Sequence, residues 1–151
     1  MKRNFLSKLD ISERQAFLEF NFAPTPLRRN VAILGLLHKR VLGQAHHSFD
    51  RLLPWYSERF PTSRGFGHNK QLYGHWLEAT YHHSLYFKSI FKMVDIYNNL
   101  PQHVVDAVSV SAFQRALTEK ARERCNRNGP LWAFSFGARS GPELRGPSDE
   151  S

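Results

Sequence analysis

The sequence predicts an all-α fold, a small irregular helical domain of about four to five helices with a long basic loop and a disordered C-terminal tail. Two stretches, 25–43 and 110–125, place apolar residues at helical spacings of three and four. Prolines and glycines stand where such stretches should stop. The expected organisation is a basic N-terminal extension over 1–11, a helical domain over 12–125 and a flexible tail over 126–151.

The stretch 25–43 is predicted to be the central helix. Thr25 is a suitable N-cap, Pro26 suits the first turn, where no N–H donor is needed, and Gly43 supplies a left-handed residue after the end. Its apolar residues form one broad arc, which indicates packing on more than one side. The arc consists of Leu27, Val31, Leu34, Leu37, Val41 and Leu42. His38 lies on the same arc and is expected to be hydrogen-bonded in the core or to face a partner.

The basic residues of this helix fall in the sector opposite the arc. Arg28 and Lys39, like Arg29 and Arg40, are separated by three helical turns and would form two cationic ledges. One interpretation is a track for phosphate groups. The other is that these are ordinary solvated positions beside a core helix, and the four residues alone favour that one.

Shorter signals predict the remaining elements. Ser12 followed by Gln15 is a capping-box pattern for a helix over about 12–21, and a proline-stiffened corner then leads into the central helix. The other expected elements are one or two turns over 48–53 capped by Ser48, a helix from about 85 that stops at 98–101, a turn at 102–107, and a helix over 110–125 with a second capping box at Ser111 and Gln114. Residues 1–9 are expected to fray, and 131–136 to dock as a short extended piece.

The segment from Ser57 to Gly74 is predicted to be irregular and basic. Its cations and aromatic rings alternate: Arg59, Arg64, His68 and Lys70 lie among Phe60, Phe66 and Tyr73. Cations interleaved with aromatic rings can bind single-stranded nucleic acid by phosphate pairing and base stacking. An equally good interpretation is that the rings pin the loop to the core.

Composition favours a polyanionic partner, since 21 Lys and Arg against 13 Asp and Glu give a net charge of +8. Cys125 is the only cysteine, so an intramolecular disulfide is impossible; nearby arginines could lower its pKa, but it has the context of an incidental helix-end thiol. No apolar run follows the basic N-terminus and no segment reaches the ~20 apolar residues of a membrane span. A nuclear or cytoplasmic location, with no membrane partner, is expected.

No constellation for catalysis stands out. The adjacent pairs His46-His47 and His82-His83 lack the spacing of three or four that metal ligands need on a helix. The aspartates are scattered, so paired acids for two-metal chemistry are missing. We therefore predict no catalytic residue, no metal, no cofactor and no small-molecule substrate.

Three stretches, taken in order, resemble a known family. They are Leu27-Arg28-Arg29 with Ile33-Leu34-Gly35-Leu36-Leu37-His38-Lys39, then Arg64 with His68-Asn69-Lys70-Gln71-Leu72, then Ile96-Tyr97-Asn98-Asn99-Leu100-Pro101 with Ser109-Val110-Ser111-Ala112-Phe113-Gln114-Arg115-Ala116-Leu117. The combination, over roughly residues 20–120, resembles the C-terminal region of non-LTR (LINE-type) retrotransposon reverse transcriptases, at or just beyond the thumb.

The resemblance implies a helical module that helps to hold template and primer while an upstream palm carries out RNA-directed DNA synthesis. This chain contains no Tyr-x-Asp-Asp stretch, and Asn30 stands where the family often has an acid. The resemblance therefore implies a non-catalytic fragment that binds an RNA or DNA backbone weakly and independently of sequence. The predicted contacts are Arg28, Arg29, Lys39, Arg40, Arg64, His68 and Lys70, and a further expected partner is the missing upstream polymerase domain.

Two other hypotheses stay open at this point. One is a host-recruited module that binds a protein partner through Leu34, Leu37 or Val41. The other is an unselected remnant whose apolar surface stays uncovered.

Overall fold

The structure is a computed structural model that describes residues 2–59, 67–74, 90–129 and 131–136. Its elements are α1 Lys2–Lys8, α2 Glu13–Phe20, α3 Thr25–Val41, α4 Ser48–Leu52, α5 Tyr56–Arg59, α6 Ile90–Asn98, α7 Gln102–Val105, α8 Val110–Asn126 and a final 3₁₀ helix, Trp132–Phe134. Within these ranges, extended pairing is limited to one isolated antiparallel bridge between Trp55 and Leu72. The prediction of an all-α fold is confirmed.

Helix α3 is the centre of the core, and it packs chiefly against α8 and α6. Leu34 and Leu37 are 0% exposed and Leu27 is 1% exposed, so the middle of the predicted apolar arc is covered by the protein's own helices, whereas its flanking residues Val31, Val41 and Leu42 are half-buried. The stripe of α8 meets this arc with Phe113, Leu117, Ala121 and Cys125, all 0% exposed. Burying these side chains is the main source of stability for such a bundle, at roughly 1.5–3 kcal/mol for each large aliphatic or aromatic residue.

The ends of α3 follow the predicted signals with one correction. The N-cap is Pro24 rather than Thr25, and no side chain caps the helix there. At the other end Gly43 has φ +70°, as predicted. The Gly43 N–H donates to the Arg40 carbonyl at 3.0 Å and the Gln44 N–H to the Lys39 carbonyl at 3.0 Å. These two bonds are those of a Schellman motif, which ends the helix sharply.

The capping predictions for the other helices are partly wrong. Ser12 caps α2 and accepts from the Gln15 N–H at 3.1 Å, but the Gln15 amide turns outward to Glu19. Helix α8 is capped by Ser109, whose extended backbone lets its Oγ accept from the Ala112 N–H at 3.1 Å, so the predicted cap at Ser111 is wrong. Ser48 lies inside α4 after the N-cap His47, so it does not cap that helix.

The two ends of the chain also differ from prediction. Residues 2–8 form α1 instead of fraying, and Leu6 is buried. The segment 131–136 docks, as expected, but as a 3₁₀ turn rather than an extended piece, because Leu131 is left-handed with φ +59°. Trp132 stacks on Phe17 with ring centroids 5.4 Å apart. The predicted disorder of 137–151, residues 60–66 of the predicted loop and residues 85–89 of the predicted helix lie outside the described residues.

Candidate nucleic-acid interface

Three of the predicted contact residues share one exposed face of α3. Arg28, Arg29 and Lys39 are exposed, and at 100° per residue they fall within one sector of about 100°. The sequence of α3 contains no Asp or Glu that could neutralise them. The side chains of Arg29 and Lys39 make no hydrogen bond or ion pair within the described part of the chain. We call these three residues the α3 cationic face.

Arg40 does not belong to this face, and its predicted solvent-facing position is wrong. It is 6% exposed, and its Nε–H lies 3.1 Å from both the Leu53 carbonyl and an Asp50 carboxylate oxygen. Its guanidinium lies over the Trp55 ring at 4.9 Å from the centroid. The segment that contains α4 covers this side of α3, so Arg40 ties that segment to the helix instead of facing a ligand.

His68 is also buried, which contradicts its predicted role as a loop cation. It is 4% exposed; its Nε2–H donates to the Tyr97 carbonyl at 2.9 Å and its Nδ1 accepts from the Lys70 N–H at 3.0 Å. Burial lowers the pKa of His68, a shift to which the nearby Lys70 ammonium adds. The ring is therefore neutral near pH 7 and carries no charge for a phosphate.

Lys70 is committed to a contact within the protein. Its Nζ donates to the Val105 carbonyl at 2.9 Å and lies 3.1 Å from a carboxylate oxygen of Asp106. Hydrogen bonds from Gln102 and Lys70 lower the pKa of the Asp106 carboxyl. Lys70 thus ties its loop to α7. The remaining predicted contact, Arg64, lies outside the described residues.

The described part of the basic loop, 67–74, is pinned to the core. The Leu72 N–H donates to the Asn98 Oδ1 at 3.0 Å, and the Asn98 Nδ2–H donates to the Leu72 carbonyl at 2.8 Å. On the other side, the Tyr73 N–H donates to the Pro54 carbonyl at 2.8 Å. Of the two interpretations of the loop, the described residues support the one in which it is anchored to the core.

His38 is hydrogen-bonded in the core, which is one of the two positions expected for it. Its Nε2–H donates to the Ala107 carbonyl at 2.8 Å, its Nδ1 lies 3.0 Å from the Tyr97 hydroxyl, and its ring stacks on Phe113 with centroids 4.2 Å apart. Burial lowers the pKa of His38 and raises that of Tyr97. Both ring nitrogens are satisfied, so the contacts of this histidine serve the packing of α3.

Two side chains on α8, Arg122 and Cys125, make contacts within the protein. Arg122 donates to the Leu18 carbonyl at 2.8 Å and to the Asn21 Oδ1 at 2.7 Å. Cys125 is fully buried, and burial raises the pKa of its thiol, whereas the neighbouring arginines alone would lower it. Arg122 binds α2 to α8, and the Cys125 side chain packs in the core.

A groove beside the cationic face was not predicted from the sequence. Helices α3 and α8 run antiparallel. His38, near the end of α3, stacks on Phe113 near the start of α8, whereas Arg28, near the start of α3, lines the groove together with Thr118, which lies further along α8. The groove has a volume of about 270 Å³. Its lining residues are Ala23, Leu27, Arg28, Val31, Ala32, Gln114, Arg115 and Thr118. Periodicity alone could not find it, because its two walls come from helices that are about eighty residues apart in sequence.

The described residues hold no cluster of three or more histidine, cysteine or acidic side chains in an arrangement that could bind a metal ion. No helix in the described ranges is long and apolar enough to cross a membrane. Comparison of the chain with protein-family models, with curated proteins and with solved structures found no match.

Proposed function

We propose that this protein binds the phosphate backbone of RNA or DNA, independently of sequence, through the α3 cationic face. We further propose that it is a non-catalytic fragment of a non-LTR reverse transcriptase, in which a palm domain would carry out DNA synthesis. The observation that carries the first proposal is the exposure of Arg28, Arg29 and Lys39 on a helix that has no acidic residue.

The position of these cations suits phosphate binding. Arg28 and Lys39 are eleven residues apart, which is about 16 Å along a helix, so one strand can contact both. Their helix is anchored by a buried face and a Schellman end, so little conformational entropy is lost from the backbone when a ligand binds. A net charge of +8 attracts the same class of ligand over a longer range.

The link to reverse transcriptases is supported by the sequence resemblance, which includes all three residues of the α3 cationic face. In a thumb-like role this face would hold template and primer beside the palm, and the upstream polymerase domain would be its partner. Sequencing the genomic DNA upstream of the Met1 codon tests this origin. A palm-coding stretch with Tyr-x-Asp-Asp supports it, whereas an intact gene start with its own promoter counts against it.

Backbone binding is tested by the salt dependence of affinity. Fluorescence anisotropy with labelled RNA should give a plot of log affinity against log salt with a slope of about −2 to −3, since three phosphates are neutralised. Changing Arg28, Arg29 and Lys39 together to Gln should remove most of this slope. The change should leave stability nearly unaltered, because surface substitutions usually cost less than about 0.5 kcal/mol.

The matched control changes three exposed cations on other elements, Lys8, Arg51 and Arg127, to Gln. It lowers the net charge by the same amount, so a site on α3 predicts a clearly smaller loss of affinity. Equal losses in the two triple variants would show that binding depends on overall charge and would overturn the assignment to α3.

The alternative of a protein partner was expected to use Leu34, Leu37 or Val41. Leu34 and Leu37 are 0% exposed and packed in the core, whereas Val41 is half-buried, so of the three only Val41 presents surface to a partner.

A further inference from the structure

The groove between α3 and α8 has a distinct chemical layout. Its floor is apolar and consists of Leu27, Val31 and Ala32 on α3 with Ala23 just before it. Gln114 and Thr118 on α8 supply polar groups at one wall, and one arginine stands on each helix, Arg28 on α3 and Arg115 on α8. None of the described residues that line the groove is acidic.

Three of the polar side chains of the groove, Arg28, Arg115 and Gln114, are accessible to a ligand, whereas the Thr118 hydroxyl already donates to the Gln114 carbonyl at 2.8 Å. Both Arg28 and Arg115 are exposed, and the Arg115 side chain makes no hydrogen bond or ion pair within the described ranges. The Gln114 side-chain amide likewise makes no hydrogen bond there, and it can both donate and accept. The amide lies close against Gly35, and a Cβ at position 35 would clash with it.

Arg28 belongs both to this groove and to the α3 cationic face. Its guanidinium lies 5.8 Å from the centroid of the Phe22 ring, which orients the charged plane beside the groove. A strand whose phosphates follow the cationic face therefore reaches the mouth of the groove at Arg28. An apolar floor between two arginines complements an apolar, flat group that has a phosphate on either side.

We infer that this groove binds an unpaired base of a single-stranded nucleic acid, with the flanking phosphates on Arg28 and Arg115. The inference rests on the proposed function and adds a preference to it. Bases of a duplex are stacked and paired and expose only their edges, so a duplex can contact α3 through its phosphates but cannot place a base in the groove. A single strand offers phosphates and bases together, and it should bind more tightly than a duplex of the same sequence.

The test compares affinities for a single-stranded oligothymidylate and for a duplex, measured by fluorescence anisotropy. Ala32→Leu fills the groove without changing charge, and Ala32 is exposed, so the helix can carry the larger side chain. We expect its affinity for the single strand to fall about tenfold, with the duplex affinity unchanged, since base contacts are lost and phosphate contacts are kept. Ser57→Leu, which adds the same side chain to an exposed position on α5, is the control and should change neither affinity.

A second variant, Arg115→Gln, removes one rim of the groove without touching the α3 cationic face. It should weaken single-strand binding more than duplex binding. If Ala32→Leu and Arg115→Gln affect both nucleic acids equally, or neither, the base site is overturned while the phosphate contacts of α3 stand. If no salt-dependent binding of either nucleic acid is seen, both proposals fail. If an acidic peptide binds the wild-type protein and not Ala32→Leu, the groove is a peptide site and the inference is overturned.

Discussion

Lys39 and Arg40 are neighbours on the same helix and carry the same charge, yet they have opposite roles. Lys39 is exposed and makes no ion pair within the described residues, whereas Arg40 is 6% exposed and bonded to Leu53 and Asp50. Their directions around α3 differ by only 100°. The difference arises because the segment around α4 covers one residue and leaves the other open. A cation on a helix is therefore a ligand contact or a structural tie according to what packs beside it.

The same contrast separates the whole covered side of α3 from its exposed face. Polar groups on the covered side are bonded within the protein, as His38 is to Ala107 and Tyr97, because an unpaired polar group in the core costs free energy. Cations on the exposed face are solvated and need no partner within the protein. The division leaves the side chains of Arg28, Arg29 and Lys39 exposed.

The difference between Lys39 and Arg40 is tested most directly by changing each residue to Gln. We expect Arg40→Gln to lower the free energy of unfolding by about 3 kcal/mol, because it leaves the Leu53 carbonyl unpaired and removes the guanidinium from the Trp55 ring. Lys39→Gln should change it by less than about 0.5 kcal/mol. Urea unfolding followed by tryptophan fluorescence measures both.

The Asp50 side of the Arg40 contact should contribute little, since the Asp50 side chain is 63% exposed and screened by water. Asp50→Asn therefore serves as the control for the ion pair alone. Equal stability of the Arg40→Gln and Lys39→Gln variants would mean that Arg40 is solvated and that the distinction between the two residues is wrong.

A second prediction concerns pH and the buried histidines. Burial lowers the pKa of both His38 and His68 below the ordinary value of 6.5. Below pH 6.5 the unfolded chain therefore binds protons that the native state does not. Stability should be complete above pH 6.5 and decline as the pH falls below it, toward the native pKa values. The denaturation midpoint, measured at several pH values from neutral to weakly acidic, checks this.

Replacing His68 tests whether a buried histidine contributes to the pH dependence of stability. His68→Gln removes a titrating group, so its midpoint should depend less on pH than that of the wild type, although its stability at neutral pH is lower. A wild-type midpoint that does not decline below pH 6.5 would contradict the burial of both rings.

Sequence reasoning predicted the parts of the fold that depend on local periodicity. The bounds of α3, the left-handed Gly43, the buried arc and the stripe of α8 all follow from residue spacing and from the backbone preference of glycine. It could not predict which polar residues would be covered. The fate of Arg40 depends on α4, and that of Arg122 on α2, and neither neighbour can be deduced from a helical wheel.

The candidate site shows the same limit. Arg28, Arg29 and Lys39 were correctly expected to be exposed, because nothing in their own helix competes for them. His68 and Lys70 were misplaced, because their partners come from α6, α7 and the chain just after α7, about thirty residues further on. The groove was missed because both of its walls must be in place before it exists. Contacts across long sequence separations carry no local signal.

Two serines at the start of α8, Ser109 and Ser111, are also near neighbours with different roles. The expected change in stability is the smallest of those predicted. Ser109 and Ser111 both precede the apolar stripe, but only Ser109 accepts a hydrogen bond from a free N–H at the helix end. Ser109→Ala should therefore lower the free energy of unfolding by about 1 kcal/mol, as for other lost N-caps. Ser111→Ala should be neutral or slightly stabilising, because alanine is the better helix former at an exposed position. The reverse order in urea unfolding would place the cap at Ser111 and begin α8 two residues later, as the capping-box spacing alone suggests.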